Sequence, residues 1–280
     1  MNLGPGNSVG EEIVIFKNRV KQKLREGKIV IGPMVSEIRT PGIAILFAQA
    51  GFDFFFIDME HSPFTMETVS DMVLAGRASG ISPIVRPPSR TLSENLSRPL
   101  DAGAEGLLVP QIQIPEDVKN VVKWCRYSPL GERGIALTRQ HTFFEGGKPA
   151  ETMRQLNEEV LILLQIEHRE AIERLPDLLS IPGIDGALVG PADLSASMGM
   201  AGEIENPRFL EAVHRVIQVA KEHGVIPGIH TDSLKTATYW MKQGMQMIGF
   251  CTDIKLMLEI SKNSVHQLRA VVQDLEGGVS

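Results

Sequence analysis

Two cysteines, two tryptophans and two tyrosines are the whole of those residue types in this 280-residue chain. Cys125 and Cys251 stand far apart in sequence and fit no metal spacing, so free thiols in a reducing, cytoplasmic setting are expected. No apolar run approaches the roughly 20 residues that a membrane helix needs. Met1 to Gly10 lack both a positively charged segment and an apolar one, so no secretory signal is read there. An excess of positive charge is missing too. The 28 Lys and Arg against 34 Asp and Glu leave a net charge of −6, and no basic patch stands out, which argues against nucleic acid as a partner. Neither a GxGxxG after the first apolar run nor a Walker A sequence appears, which weakens an open nucleotide-binding sheet.

What the chain does have is apolar content, 43%, with mean hydropathy near zero. That suffices for a large core in an ordinary soluble protein. Eight short apolar runs read as strands: Ile29–Val35, Asp53–Ile57, Pro83–Val85, Gly106–Val109, Val160–Ile166, Asp185–Val189, Ile226–Ile229 and Met245–Phe250. Between them lie helical patterns at Thr40–Ala50, Met66–Ser79, Leu92–Ala102, Pro115–Cys125, Glu170–Leu179, Pro207–His223 and Ser233–Gln243. Gly51, Gly80, Gly103, Gly224 and Gly244 stand where a helix would end before the next strand. Near-continuous apolar strands alternating with helices imply a parallel sheet covered on both faces. Eight such units in this length predict a closed (β/α)₈ barrel, with a doubly wound open sheet as the alternative.

Residues 1–280 read as one barrel domain, with 1–12 a flexible N-terminus. The long stretch 127–158 after the fourth strand suits an active-site loop or lid. The tail 253–275 is amphipathic, with Val265, Leu268, Val272 and Leu275 at helical spacing, and reads as a helix closing the barrel or as a stripe used between subunits.

Barrels of this kind carry their chemistry at the carboxyl ends of the strands. There the chain places Asp58, Glu60 and His61 after the second run and Arg86 after the third. Gln165 and Glu167 follow on the fifth, and Gly190, Pro191, Ala192 and Asp193 on the sixth. Gln165 and Glu167 are two apart and share one face of an extended strand. Glu167 and Asp193 offer two hard oxygen ligands suited to Mg²⁺ or Mn²⁺. The competing reading pairs Glu167 with a basic residue and leaves Asp193 to cap a helix. Gly190 and Pro191 bring main-chain amides near a helix start, which favours an anion. His61 is the best general base, flanked by the carboxylates of Asp58 and Glu60. Arg86 suits an enolate or a substrate carboxylate, against the alternative of an ion pair with Asp58 or Glu60. His230, at the end of the seventh strand, could also reach the pocket, whereas His141, His168, His214 and His223 carry less weight.

Five segments together resemble the HpcH/HpaI family of class II pyruvate aldolases: 57–61 (IDMEH), 85–87 (VRP), 107–110 (LLVP), 165–167 (QIE) and 190–195 (GPADLS). The resemblance spans roughly residues 14–259. It implies a (β/α)₈ barrel, assembled as a hexamer (a trimer of dimers) with the last helix packed on a neighbouring subunit. It further implies one divalent ion per subunit (Mg²⁺, Mn²⁺ or Co²⁺) on Glu167 and Asp193. Gln165 and the main chain around Ala192 would hold the pyruvate moiety, with His61 as base and Arg86 steadying the enolate. Asp101 would raise the basicity of His61, across a subunit boundary if need be. The implied reaction cleaves a 4-hydroxy-2-oxo acid, such as 4-hydroxy-2-oxoheptanedioate or a 2-keto-3-deoxy sugar acid, to pyruvate and an aldehyde in aromatic or sugar-acid catabolism. Oxaloacetate decarboxylation and CoA-ester cleavage are the alternatives on the same enolate site. Two segments depart from the family pattern: residues 135–144, and the seventh-strand exit Gly228-Ile229-His230-Thr231-Asp232, which is unusually polar.

Overall fold

The computed structural model describes residues 17–277, so the N-terminal expectation for 1–12 lies outside the described residues. Eight strands close a parallel barrel in sequence order. They are β1 (Val30–Val35), β2 (Phe54–Asp58), β3 (Ser82–Arg86), β4 (Gly106–Val109), β5 (Leu161–Ile166), β6 (Gly186–Val189), β7 (Ile226–Thr231) and β8 (Met247–Thr252). The expected (β/α)₈ architecture is therefore the observed one, with every strand limit within two residues of its expected place.

Alternation along each strand sorts its side chains into two cores. Val30, Met34, Phe54, Phe56, Ile84, Leu108, Leu161, Leu163 and Leu188 fill the barrel interior. Their neighbours Val35, Phe55, Ile57, Val85, Leu107, Ile162 and Leu164 face the surrounding helices. Both faces are dry, which is why the strands read as continuous apolar runs instead of alternating ones. Each fully buried side chain of this size contributes about 1.5–3 kcal/mol. All five helix-ending glycines adopt positive φ, from 67° at Gly224 to 107° at Gly244, a conformation an L side chain resists.

The helices follow the sequence pattern with one break. Glu170–Leu179 is two short helices, Arg169–Glu173 and Leu175–Leu179, because Pro176 cannot continue the first. Three helices escaped the periodicity: Arg19–Arg25, Pro149–Glu159 and Pro191–Ser197. The first plugs the amino-terminal end of the barrel. Val20 and Leu24 join the inner core, and Lys21 Nζ reaches Asp185 Oδ1 at 2.7 Å and the Val160 carbonyl at 3.0 Å. Arg126 Nη2 grips the other oxygen of Asp185 at 2.7 Å.

The stretch 127–158 is not a lid over its own chain's strand exits. It follows the helix Pro115–Cys125, and a chain leaving a barrel helix emerges at the amino-terminal end. There it forms a short 3₁₀ turn, Gln140–Thr142, and the helix Pro149–Glu159. Arg77 Nη1 donates to the Gln140 carbonyl at 2.9 Å and holds the turn against the outside of the helix Met66–Ser79. The last helix, Asp253–Gly277, does not close the barrel either. Asp253 accepts main-chain N–H groups of Ser36, Glu37 and Ile38, but Val265, Leu268, Val272 and Leu275 are exposed. Among the described residues no helix is long and apolar enough to cross a membrane.

Candidate active site

The site grows from the register of β2 and β3. Asp58 lies directly opposite Arg86 in that ladder. Arg86 Nε donates to Asp58 Oδ1 at 2.9 Å and Nη2 to Oδ2 at 2.8 Å, a buried bidentate pair. The same carboxylate accepts the main-chain N–H groups of Glu60 at 2.9 Å and His61 at 3.4 Å, so Asp58 shapes the loop that carries His61. Burial opposes the Arg86 charge. Asp58, Glu60 and Glu167 more than offset it, and the guanidinium pKa lies above its ordinary value.

His61 sits at the rim with 62% of its side chain exposed, its Nε2 3.7 Å from Glu60 Oε2. Glu60 turns inward instead. One of its oxygens lies 3.5 Å from Arg86 Nη1, and the other accepts from Gln111 Nε2 at 3.4 Å.

On β5 the predicted shared face is realised as a contact, Gln165 Nε2 donating to Glu167 Oε2 at 2.5 Å. Glu167 Oε1 accepts the main-chain N–H of Gln111 at 2.6 Å, a donor aimed by a positive φ of 60° at that residue. Glu167 is 1% exposed. Burial, and then the charges of Glu60 and Asp193, outweigh the Gln111 amide and Arg86 and push its carboxyl up to about 7. Gly190 ends β6 because the space is taken: a Cβ there would lie 3.0 Å from both Gln165 Nε2 and Glu167 Oε2. Pro191, Ala192 and Asp193 open the next helix. Gly190 is its N-cap, and Asp193 lies in its first turn.

Among the described residues no three His, Cys, Asp or Glu side chains converge on one point. The donor set nevertheless fits a hard divalent ion. Glu167 and Asp193 are close enough to raise the Glu167 pKa. Two buried acceptors beside them, Gln165 Oε1 and Glu60 Oε2, have no hydrogen-bond partner among the described residues. Two carboxylates would leave the other positions to water and substrate.

The cleft over these groups encloses about 220 Å³, with His61, Arg86, Gln165, Gly190, Asp193 and His230 on its walls and no lysine among them. Seven of the ten expected site residues line it, and Asp58 and Glu167 are bonded to two of those seven, Arg86 and Gln165. Asp101 is not among them. It ends the helix Ser93–Asp101 at the opposite end of the barrel, where its carboxylate accepts from Arg133 Nη2 at 2.6 Å. Glu60 and Gln111 were not assigned as site residues from sequence. Both stand just past strand ends, the one signal that could have picked them out.

Residues 36–259 match the family described as HpcH/HpaI aldolase/citrate lyase. The chain belongs to this family. Its relatives include the 4-hydroxy-2-oxo-heptane-1,7-dioate aldolase of Escherichia coli, 32% identical over 266 residues, covering 94% of this chain and 100% of the relative. The same-named protein of Salmonella dublin is 34% identical over 244 residues, covering 86% and 91%. Among solved structures, the HpcH/HpaI aldolase from Desulfitobacterium hafniense DCB-2 superposes with a TM-score of 0.85 at 32% identity, covering 89% of this chain and 96% of that one. Macrophomate synthase superposes at 0.79 with 25% identity, covering 94% and 93%. As a member of this aldolase family, the chain is a carbon–carbon lyase.

Proposed function

We propose that this HpcH/HpaI family member is a divalent-metal-dependent aldolase that reversibly cleaves a 4-hydroxy-2-oxo acid to pyruvate and an aldehyde. One observation carries the reading: a buried Glu167 beside Asp193 at a cleft walled by an arginine that Asp58 holds in place. Substrates of the 4-hydroxy-2-oxoheptanedioate or 2-keto-3-deoxy sugar acid kind suit a cleft that sets His61, Arg86, Gln165 and Asp193 among apolar walls.

Glu167 and Asp193 would hold the ion, Mg²⁺, Mn²⁺ or Co²⁺, which when bound supplies a Lewis acid for the 2-oxo acid group. Gln165 and the main chain at Gly190 to Ala192 orient the 2-oxo acid end. His61, exposed at the rim, takes the proton from the 4-hydroxyl. The C3–C4 bond pair then passes into the C2–C3 bond, the aldehyde departs and the C2 oxygen becomes an enolate. Arg86, already fixed by Asp58, meets that negative charge without reorganising. Protonation at C3 completes pyruvate.

Chelation with EDTA should abolish pyruvate release, and added Mg²⁺, Mn²⁺ or Co²⁺ should restore it. Full activity in the stripped protein would overturn the metal reading. Supplying pyruvate with a panel of aldehydes and weighing the products identifies the aldehyde half. We further propose a homo-oligomer, a hexamer arranged as a trimer of dimers, in which a second copy covers the exposed stripe on the last helix. A monomer in light scattering would contradict that assembly.

A further inference from the structure

His230 occupies the fifth position of β7, and alternation along that strand turns Ile226 and His230 toward the barrel interior. Ile226 packs on the inner core, while His230 lines the cleft with Arg86, Gln165 and Gly190. Its Nε2 is buried and has no hydrogen-bond partner among the described residues. Two local features hold the ring there. Gly249, opposite it in β8, leaves the space, since a Cβ at that position would come within 2.6 Å of His230 Cδ2. Cys251 has a φ of 58°, a left-handed conformation unusual for a side-chain-bearing residue, and its main-chain carbonyl faces the imidazole.

Because Nε2 is unpartnered, the nitrogen that meets the Cys251 carbonyl is Nδ1. A carbonyl accepts only from N–H, so the proton of the neutral ring resides on Nδ1 and Nε2 carries the lone pair. Burial first, and the Arg86 charge with it, outweigh Asp232 and the Cys251 carbonyl and lower the imidazole pKa, which keeps the ring neutral. The cleft wall thus presents one fixed, desolvated acceptor. Left unpaired beneath a bound substrate, such a group weakens binding by about tenfold or more.

The aldolase reading directs the carboxylate and 2-oxo oxygens of the substrate to the ends of β5 and β6. The remaining substituent on planar C2 is C3, which the same reading turns away from those carboxylates, toward the part of the lining that includes Met34, Leu108 and His230. A methyl group on pyruvate leaves Nε2 unpaired. A hydroxyl on the same carbon donates to it.

We propose that His230 makes the enzyme prefer a 2-oxo acid bearing a hydroxyl on C3 over pyruvate as the enolate-forming half of the reaction. This inference rests on the aldolase reading for the orientation of the 2-oxo acid. The favoured cleavage substrates are then 3,4-dihydroxy-2-oxo acids, which give a 3-hydroxy-2-oxo acid beside the aldehyde, and the pyruvate-forming substrates are turned over less efficiently. Hydroxypyruvate is the simplest probe of that class.

The experiment measures Kd by calorimetry for hydroxypyruvate and for pyruvate with the Mg²⁺- or Mn²⁺-loaded full chain. It then measures kcat/KM for each with a common aldehyde. The variants are His230→Leu, which fills the space without an acceptor, and His230→Gln, which keeps one. The expected result is hydroxypyruvate favoured by about tenfold or more in the parent, a ratio near one in His230→Leu, and a retained preference in His230→Gln. A parent ratio near one overturns the inference, as does a preference that survives in His230→Leu. Should His230→Leu fail to fold, the parent ratio and its retention in His230→Gln decide alone. The two readings separate cleanly. Pyruvate turnover with an unmoved ratio sinks the inference and leaves the aldolase standing. A binding ratio that collapses in His230→Leu, with no aldol product from either acid, upholds the His230 role and sinks the aldolase. Binding of neither acid sinks both.

Discussion

Arg86 and Asp58 are cross-strand partners joined by two hydrogen bonds, at 2.9 and 2.8 Å, in a site where both side chains are nearly inaccessible to water. The pair settles how a cation can be kept rigid under a cleft. The ion pair with Asp58 is formed, and it holds the guanidinium at the cleft wall, where the proposed enolate-steadying role needs it. Asp58→Ala should leave a buried charge uncompensated and lower unfolding free energy by about 3–5 kcal/mol in urea titration. Arg86→Lys removes the fork while keeping the charge, so kcat should fall while Kd for the 2-oxo acid changes less.

The opposite end of the barrel depends on Asp185, which serves Lys21 at 2.7 Å and Arg126 at 2.7 Å. Burial lowers the Lys21 pKa, and Asp185 is the group that opposes this. Asp185→Ala should cost about 3–5 kcal/mol of stability. It is remote from the cleft, so kcat/KM of the folded fraction should stay at the parent value. A stability loss below about 1 kcal/mol in denaturant titration would show that water takes over the role of the carboxylate.

His141 sets a pH dependence. Burial, followed by the Arg133 charge, pushes its pKa from 6.5 down to about 4. Between those values the unfolded chain binds more protons than the native one, so stability rises with pH across this interval. The contribution is fully present above about pH 6.5 and is lost as pH falls toward 4, to a total on the order of 3 kcal/mol. Thermal midpoints from pH 7 to pH 4 should drop more steeply in the parent than in His141→Gln. Parallel curves would remove His141 as the cause.

Asp101 and His61 lie at opposite ends of one barrel, so a role for Asp101 in raising the basicity of His61 requires a second copy of the chain. His61→Ala and Asp101→Asn should each lose about 10²–10⁴-fold in kcat. Co-expressed, the two variants should regain activity, because mixed contacts reunite one intact His61 with one intact Asp101. Asp101→Asn keeps an acceptor for Arg133, which limits damage to the fold. No recovery in the mixture would confine Asp101 to its ion pair with Arg133.

Much of the fold was written in local pattern. Dry strands on both faces need continuous apolar runs, helices need a residue tolerant of positive φ at their ends, and both signals survive in the bare sequence. The face shared by Gln165 and Glu167 was equally legible, because strand alternation is a property of the backbone. The seven-residue helices Arg19–Arg25 and Pro191–Ser197 were not, since two turns carry too little periodicity to read, and the eleven-residue Pro149–Glu159 was hidden inside a stretch that reads as loop.

Sequence alone determined the barrel, the family and most of the polar residues at the strand exits. Tertiary structure decided who meets whom. Asp58 faces Arg86 only through the β2–β3 register, and Gln111 reaches Glu167 across 56 residues of chain. The segment 127–158 and Asp101 fall on the far side because helices return the chain there. His230 became a buried acceptor only when Gly249 and Cys251 of β8 closed around it. Desolvation and pairing arise from neighbours distant in sequence, so no local pattern could have foretold them.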